Sequence, residues 1–242
     1  YPMFLPGGKE QIAGEYQPGW MLLSYGKKVS VSSSLEGYPA ENIVDEDART
    51  AWVAQSNRDM EWAQVDLQRL SSIHAIQVNF DEYGANQKGA VSGVYQSYLI
   101  YASVNGEDWS LVVDYGTKKT DTPHDYIEFE EPFKARYIKL QNKEYMVSEN
   151  FSVRDLRIFG KGQGSTPRAV NDFTVERDEA DPCKARLCWE AVPDAQGYIV
   201  RYGIAGDKLY NNFQVMGENT LEIGSLNKGV AYYFTIDAYN EN

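Results

Sequence analysis

The segment Pro39–Trp52, PAENIVDEDARTAW, is a turn-rich acidic stretch that runs into a tryptophan. Within six of its residues it carries three acids and a hydroxyl, at Asp45, Glu46, Asp47 and Thr50. Oxygen donors at this density suit a hard cation such as Ca²⁺, although the same composition also describes a solvated acidic turn. An EF-hand is excluded, because its central glycine and terminal bidentate glutamate are absent. We expect Trp52 to anchor the segment in a core.

On both sides of this segment the sequence alternates between short apolar runs and turn residues, a pattern typical of all-β proteins. We predict strands at 29–34, 62–67, 73–80, 95–103, 110–115, 125–130, 135–142 and 152–160. Eight strands of this kind fit a jelly-roll β-sandwich. The intervening segments 53–61, 81–94 and 143–151 are too long and polar for simple hairpin turns. Long loops on a rigid sandwich are where binding sites usually lie.

A second unit follows a linker. The segment KGQGSTP at 161–167 has the Gly, Ser and Pro content of a domain boundary. After it, strand patterns resume about every ten residues and predict an immunoglobulin-like sandwich. These runs are DFTVER at 172–177, ARLCWEAV at 185–192, GYIVRYG at 197–203, LEIGSL at 221–226 and AYYFTIDAY at 231–239. Residues 1–26 show no clear period, and we predict an irregular lead-in there.

Composition limits the partners and the function classes that are possible for this chain. The 242 residues suffice for two domains, and the net charge of −12 argues against nucleic acid or an anionic membrane as partner. No apolar run of about 18 residues is present to span a membrane. The chain opens on Tyr1 and is expected to be a piece of a longer protein. Cys183 and Cys188 either close a small loop or remain free thiols, and their spacing is not that of a zinc site.

Five spaced motifs carry a family resemblance. They are Asp45-x-Asp47-x-x-Thr50-x-Trp52, Trp62-x-x-Val65-Asp66-Leu67, Ser103-x-Asn105-Gly106-x-x-Trp109, Ala135-Arg136-Tyr137-Ile138-x-Leu140 and Leu156-x-Ile158-x-Gly160. In this order, over about 27–160, they resemble the factor V/VIII type C (discoidin-like) fold, which in bacteria is widespread as family-32 carbohydrate-binding modules. We expect Trp52, Trp62 and Trp109 to be core anchors rather than sugar platforms.

The resemblance implies a structural Ca²⁺ ion. Its ligands would be backbone oxygens of Asn42, Asp47 and Arg154 with side chains of Asp45, Thr50 and Asp155. This sequence departs from the family pattern at Glu46, where a glycine is usual, and at Asp155, where a glutamate is usual. The ion is expected to stabilise the loop rather than to take part in catalysis.

Two further resemblances concern the ends of the chain. Trp189, the run Tyr198-x-Val200-x-Tyr202 and the run Leu226-x-x-Gly229-x-x-Tyr232-x-Phe234-x-Ile236-x-Ala238 resemble a fibronectin type III domain at 168–242. The seventh strand of that fold would begin where the sequence ends, so this domain is expected to be incomplete. The lead-in, with YPMFLPGG and GWMLLSYG, resembles the junction after the catalytic domain in some bacterial family-43 glycoside hydrolases.

Together these features predict a non-catalytic binding region of a secreted, periplasmic or cell-surface glycoside hydrolase. No acid lies in a motif that commits it to glycoside hydrolysis, and neither His74 nor His124 has a nucleophile motif nearby. The expected partners are an oligo- or polysaccharide and the catalytic domain of the parent protein, with the chain itself a monomer. By loop position, the predicted sugar-contacting residues are Gln55, Asn57, Arg58, Asp81, Tyr83, Tyr145, Asn150 and Phe151. The alternatives are a structural sandwich that packs on the catalytic domain without binding glycan, and a protein-adhesion module.

Overall fold

The structure is a computed structural model that describes residues 4–6, 18–85 and 93–242, with the backbone alone for 4–6 and Pro18. Most of the predicted lead-in and the middle of the predicted loop 81–94 lie outside the described residues. The described part forms fifteen strands and one short 3₁₀ helix, which is too short to span a membrane. The fold class is therefore all-β, as predicted.

The elements follow one another in chain order. They are β1 (Phe4–Pro6), β2 (Pro18–Leu22), β3 (Lys28–Val31), the 3₁₀ helix η1 (Ala40–Val44), β4 (Trp52–Val53), β5 (Trp62–Phe80), β6 (Gln96–Ser103), β7 (Ser110–Tyr115), β8 (His124–Tyr145), β9 (Ser152–Gly162), β10 (Phe173–Arg177), β11 (Ala185–Trp189), β12 (Gly197–Gly203), β13 (Asn211–Met216), β14 (Thr220–Ile223) and β15 (Tyr233–Tyr239).

The chain divides into two compact units, Tyr1–Gln163 and Gly164–Asn242, and the division falls inside the predicted linker. In the first unit nine strands are joined by antiparallel pairing. The hydrogen-bonded order is β1-β2-β9-β5-β8-β6-β7, with β3 also paired to β5 and β4 to β9. The strands enclose a core whose largest fully buried side chains include Trp52, Tyr98 and Phe159. Trp52 is a core anchor, as expected.

Strands β5 and β8 are each longer than the sequence patterns predicted. The runs 62–67 and 73–80 form one strand, as do 125–130 and 135–142. The pairing of β5 with β8 shifts register between Asp66 and Ser71. Gln68 there adopts a positive φ of 67°, and its backbone N–H donates to the Asp66 carboxylate at 2.7 Å. Such an irregularity bends a strand without ending it. The polar residues at this bend made the sequence of β5 look like two separate strands.

The prediction of an irregular lead-in is wrong for its last residues, because tertiary packing makes a strand there. Trp20 of β2 stacks on His74 with ring centroids 5.0 Å apart. Leu22 is buried in one cluster with Ala75 and Phe159. A strand of five residues has too few positions to show a period of two, so its packing partners on β5 and β9 define it.

The second unit consists of two three-stranded antiparallel sheets, β10-β11-β14 and β13-β12-β15. Side chains of both sheets form its core, where Trp189 of β11 meets Tyr198 of β12 edge to face, with ring centroids 5.2 Å apart. Strand β13 was not predicted. Cys183 and Cys188 are both free thiols.

Candidate binding cleft

An open cleft of about 510 Å³ lies between the end of β3 and the loop that leads into β5. It is lined by Ser32, Ser33, Gln55, Ser56, Arg58, Asp59, Met60 and Glu61. Every lining residue except Met60 is polar or charged. The cleft therefore offers many hydrogen-bonding groups with one apolar side chain among them.

Glu61 is the central acceptor of the cleft. Its carboxylate accepts hydrogen bonds from the hydroxyls of Ser33 at 2.8 Å and Ser56 at 2.7 Å, and from that of Ser32. Burial would raise the pKa of Glu61, but these three hydrogen bonds and the positive charge of Arg58 outweigh it and hold the pKa below its usual range. Glu61 is therefore an ionised acceptor at neutral pH.

The loop before β5, which carries the side chains of Arg58 and Glu61, is held in place by Asn142 of β8, which is fully buried. Its amide Nδ2 donates to the carbonyls of Asn57 at 2.8 Å and Arg58 at 2.9 Å. Its own backbone N–H donates to the carbonyl of Glu61 at 2.8 Å, and its carbonyl accepts from the Met60 N–H at 3.2 Å. Four hydrogen bonds from one strand residue hold the cleft wall in place.

Met60 has a strained backbone and an exposed side chain. Its φ of 81° lies in the left-handed region that residues other than glycine rarely adopt. Its side chain is 63 % exposed, and its Sδ accepts a hydrogen bond from Nε2 of Gln141 at 3.3 Å. Strain of this kind persists only where surrounding contacts over-determine the backbone, as Asn142 does here.

The structure places two of the predicted sugar-contacting residues in this cleft, Gln55 and Arg58, both exposed. Asn57 and Asn150 instead hold the loops together. Asn57 donates through Nδ2 to the carbonyl of Ser148 at 2.8 Å, and Asn150 donates to that of Ala54 at 2.9 Å. Their amides bind backbone, so we assign them to loop geometry.

Two more predicted residues lie elsewhere on the loops. The Asp81 carboxylate accepts from Nη2 of Arg154. Tyr83 meets Tyr38 edge to face, with ring centroids 4.9 Å apart, and both rings are half-buried. Neither Asp81 nor Tyr83 lines the cleft.

Tyr145 and Phe151 require a correction, because both lie in the core. Each is 1 % exposed, and their rings meet edge to face 5.3 Å apart. Phe151 also packs on Trp52 with centroids 5.8 Å apart, and the Tyr145 hydroxyl donates to the carbonyl of Asp81. Neither ring has a face open to a ligand.

Sequence reasoning missed six lining residues, Ser32, Ser33, Ser56, Asp59, Met60 and Glu61. Ser32 and Ser33 belong to the run VSVSSS, which the sequence pattern predicted only as a strand. The prediction that Trp62 and Trp109 are core anchors is wrong, because both are half-buried. The alternation along β5 could have predicted the exposure of Trp62, because Trp62 lies on the same face of the strand as outward-facing Gln64 and Asp66.

The predicted metal ligands are partly brought together. The Asp45 carboxylate accepts from the Thr50 hydroxyl at 2.8 Å and from the Asp47 N–H at 2.8 Å. Asp155 is buried and accepts from Nδ2 of Asn79 at 2.9 Å. Burial raises the pKa of Asp155; the Asn79 hydrogen bond opposes this, and the negative charge of Asp45 adds to it. Two carboxylates and a hydroxyl thus share one region.

The other acidic side chains of this segment have different partners. Asp47 forms a two-point ion pair with Arg49, with Nε–Oδ1 2.9 Å and Nη2–Oδ2 2.7 Å, and hydrogen bonds from Arg49 lower the pKa of Asp47 to about 2. The Asn42 amide donates to the carbonyl of Ala51 at 2.8 Å. Within the described ranges, no three His, Cys, Asp or Glu side chains form a metal-binding group. The oxygen donors of Asp45, Thr50 and Asp155 suit Ca²⁺ better than a softer metal.

The first unit is thus an antiparallel β-sandwich with a ligand-sized cleft among its loops, which is the architecture of a binding module. A family model described as the F5/8 type C domain matches residues 28–155, more than half of the chain. The chain therefore belongs to the F5/8 type C domain family, which confirms the predicted resemblance for the first unit.

Relatives and solved structures show the extent of the likeness. Lactadherin of Rattus norvegicus is 33% identical over 110 residues, covering 43% of this chain and 25% of that protein. The mouse protein is 32% identical over 110 residues, with coverages of 43% and 23%. The chain thus spans about a quarter of the length of the curated relatives it matches.

Among solved structures, chitosan-binding module 1 of a chitosanase/glucanase from Paenibacillus sp. IK-5 is 20% identical with a TM-score of 0.49, covering 57% of this chain and 98% of that one. A family 32 carbohydrate-binding module from C. perfringens, solved with galactose, is 18% identical with a TM-score of 0.46, and the coverages are 58% and 97%.

Proposed function

We propose that the chain binds an oligo- or polysaccharide in the cleft defined above. The observation that carries this proposal is the combination of one exposed apolar side chain, Met60, with an ionised acceptor and several donors. A pyranose ring has a hydrophobic face of C–H groups and a rim of hydroxyls. A site that binds it needs an apolar contact beside a few directed polar groups.

Each lining group has a distinct role in this proposal. A carboxylate has about four acceptor positions, and three at Glu61 are taken by serine hydroxyls, which leaves one for a sugar hydroxyl. Arg58 and Gln55 line the same cleft, are exposed and can donate to a bound sugar. Because Asn142 already holds the loop, little conformational entropy is lost when a ligand binds.

The test begins with a glycan array that uses the 242-residue chain, followed by calorimetric titration of the strongest hit. We expect Arg58→Ala to weaken binding about tenfold, since a hydrogen bond from a charged group contributes roughly 1.5–3 kcal/mol. Arg69→Ala is the matched control, because Arg69 is an exposed arginine outside the cleft. Equal affinity of both variants, or a blank array with folded protein, would overturn the proposal and favour the structural-accessory role.

We further propose that the first unit holds a structural Ca²⁺ ion through the side chains of Asp45, Thr50 and Asp155. Backbone oxygens of Asn42, Asp47 and Arg154 would complete the site. The support is the all-oxygen donor set and the mutually repelling pair of half-buried Asp45 and buried Asp155, which a divalent cation would neutralise. The ion would supply stability, with no part in a reaction.

For the second unit we propose a fibronectin type III-like spacer. Its support is a tyrosine near the start of β15 that binds the backbone upstream. The N–H of Asn227 donates to the Tyr232 hydroxyl at 3.1 Å, and Gly229 between them has a positive φ of 78°. That contact is characteristic of the corner of immunoglobulin-like sandwiches.

For the whole protein we propose a secreted, periplasmic or cell-surface bacterial glycoside hydrolase of the family-43 type, in which this chain is a non-catalytic monomer. The support is the resemblance of the lead-in. Light scattering would show a mass of 27.4 kDa for a monomer. The parentage is tested by purifying the full-length protein that contains this chain and assaying it for arabinosidase and xylosidase activity.

A further inference from the structure

Lys139 lies between two tryptophans on the outward face of β8. Its Nζ is 3.8 Å from the ring centroid of Trp109 and 5.3 Å from that of Trp62. All three side chains are half-buried. Cation–π contacts hold the ammonium in place while part of it faces solvent.

The cross-strand partners of Lys139 are Gln64 on β5 and Tyr101 on β6. Two residues away along β8, on the same face, are Tyr137 and Gln141. The carboxylate of Asp66, which lies on the same face opposite Tyr137, is bound at two points by Arg136 rather than by Lys139. Although the sequence has 35 acidic and 23 basic residues, neither cross-strand partner of Lys139 is acidic.

Three other cations of β8 and the preceding loop form ion pairs. Arg136 pairs with Asp66 at 2.8 Å, Lys143 with Asp59 at 2.7 Å, and Lys118 with Asp125 at 2.6 Å. Among the described residues Lys139 forms no ion pair, and burial lowers its pKa with no neighbouring charge opposing the shift. The ammonium is therefore placed to receive an anion from outside the chain.

The chemistry around Lys139 is specific. Indole rings pack on the apolar face of a pyranose. An ammonium forms a charge-assisted hydrogen bond with a carboxylate. The amides of Gln64 and Gln141 and the hydroxyl of Tyr101 lie on the same face and can bind sugar hydroxyls. A sugar ring that bears a carboxylate satisfies all three kinds of group.

This face is continuous with the cleft. Trp62 directly follows Glu61 in the sequence and is paired in register with Gln141. Gln141 in turn donates to the sulfur of Met60 at 3.3 Å. A glycan bound in the cleft can therefore extend across Trp62 to Lys139.

We propose that Trp62, Lys139 and Trp109 form a second subsite that takes a uronic acid residue of a glycan whose neighbouring residue occupies the cleft. This inference deepens the proposed function and rests on it. The ligand is then an acidic glycan, and Lys139 binds its carboxylate.

The test titrates the 242-residue chain with trigalacturonic acid and with the matching neutral galactotriose. We expect the acidic trisaccharide to bind about tenfold more tightly at low salt, and the preference to shrink as salt rises. Lys139→Gln should abolish the preference for the acidic trisaccharide. Lys139→Arg should retain it, and Lys134→Gln is the matched control, because Lys134 is an exposed lysine on the same strand.

The outcomes separate this inference from the proposed function. Binding of the neutral trisaccharide without preference for the acidic one overturns the uronate subsite and leaves the cleft proposal intact. A preference that survives Lys139→Gln, in protein with an unchanged melting curve, also overturns the subsite. If both trisaccharides bind with affinities insensitive to Arg58→Ala, it is the cleft proposal that fails.

Discussion

Glu46 and Arg157 form a two-point ion pair that ties the acidic segment to β9, with Nε–Oε1 2.9 Å and Nη2–Oε2 2.8 Å. Glu46 adopts a positive φ of 61°, in the left-handed region that glycine adopts most readily. The pair explains how a glutamate is accommodated there, since the contact with Arg157 offsets the backbone strain.

This relationship predicts different effects for two substitutions that both remove the carboxylate. Glu46→Ala and Glu46→Gly each break the ion pair and destabilise the fold. We expect the glycine variant to be more stable than the alanine variant by about 1 kcal/mol, because glycine has no Cβ to strain the left-handed backbone. Urea denaturation measures the difference. An alanine variant as stable as the glycine variant would show that the backbone at this position is unstrained.

Asp155→Asn tests the proposed calcium site. Because the pKa of Asp155 is raised in the folded state, the wild-type chain loses stability as pH rises above the unfolded value of about 4 through the folded pKa. The variant lacks this loss, so without Ca²⁺ it should melt at a higher temperature at pH 7. The asparagine can still accept from Asn79, which preserves the local hydrogen bond.

Added Ca²⁺ should reverse that order. At 100 times the dissociation constant, a bound ion stabilises the wild-type chain by about 2.7 kcal/mol, whereas the variant should not respond. Asp207→Asn serves as control, because Asp207 is exposed in the second unit. A wild-type melting temperature that is the same in EGTA and in Ca²⁺ would contradict the ion.

Asn142→Ala should affect both stability and binding. The substitution removes the two hydrogen bonds from Nδ2 to the carbonyls of Asn57 and Arg58, and it leaves a small cavity in a fully buried position. We expect a loss of about 2–3 kcal/mol in the free energy of unfolding. Without these bonds the strained backbone at Met60 can relax, so glycan affinity should fall even where the protein remains folded. Retained affinity would show that Asn142 does not shape the cleft.

Lys118→Met tests the ion pair between Lys118 and the buried carboxylate of Asp125. The Asp125 carboxylate, which is buried, accepts from Nζ of Lys118 at 2.6 Å and from the Tyr98 hydroxyl at 2.8 Å. Removing the cation leaves a buried anion without a counter-charge, which should cost about 3–5 kcal/mol. Lys119→Met removes the neighbouring exposed pair with Glu144, at 3.4 Å, and should cost far less, because solvent screens an exposed ion pair. Similar losses in the two variants, measured by thermal unfolding, would contradict this account.

Local sequence patterns predicted most strands well. The run 110–115 has the same bounds in the structure as β7, and 152–160 lies within β9. These segments alternate in and out of a core, and a period of two is visible in the residues themselves. Trp52, expected as an anchor of the acidic segment, is also in the core.

The roles of the loop residues could not be predicted in this way. Asn57 looked like a ligand contact, yet its amide binds the carbonyl of Ser148, 91 residues further along the chain. Phe151 looked exposed by loop position, yet it packs on Trp52 and Tyr145. Contacts between segments so distant in sequence leave no trace in local composition.

The amino-acid sequence by itself determined the all-β class and the family of the first unit, because alternation and spaced motifs are properties of short segments. Only the tertiary structure decided which side chains line the cleft, that Met60 has a strained backbone, and that Lys139 lies between two indoles with no ion pair among the described residues. The physical reason is that hydrogen bonds and packing across strands fix the direction of each loop side chain.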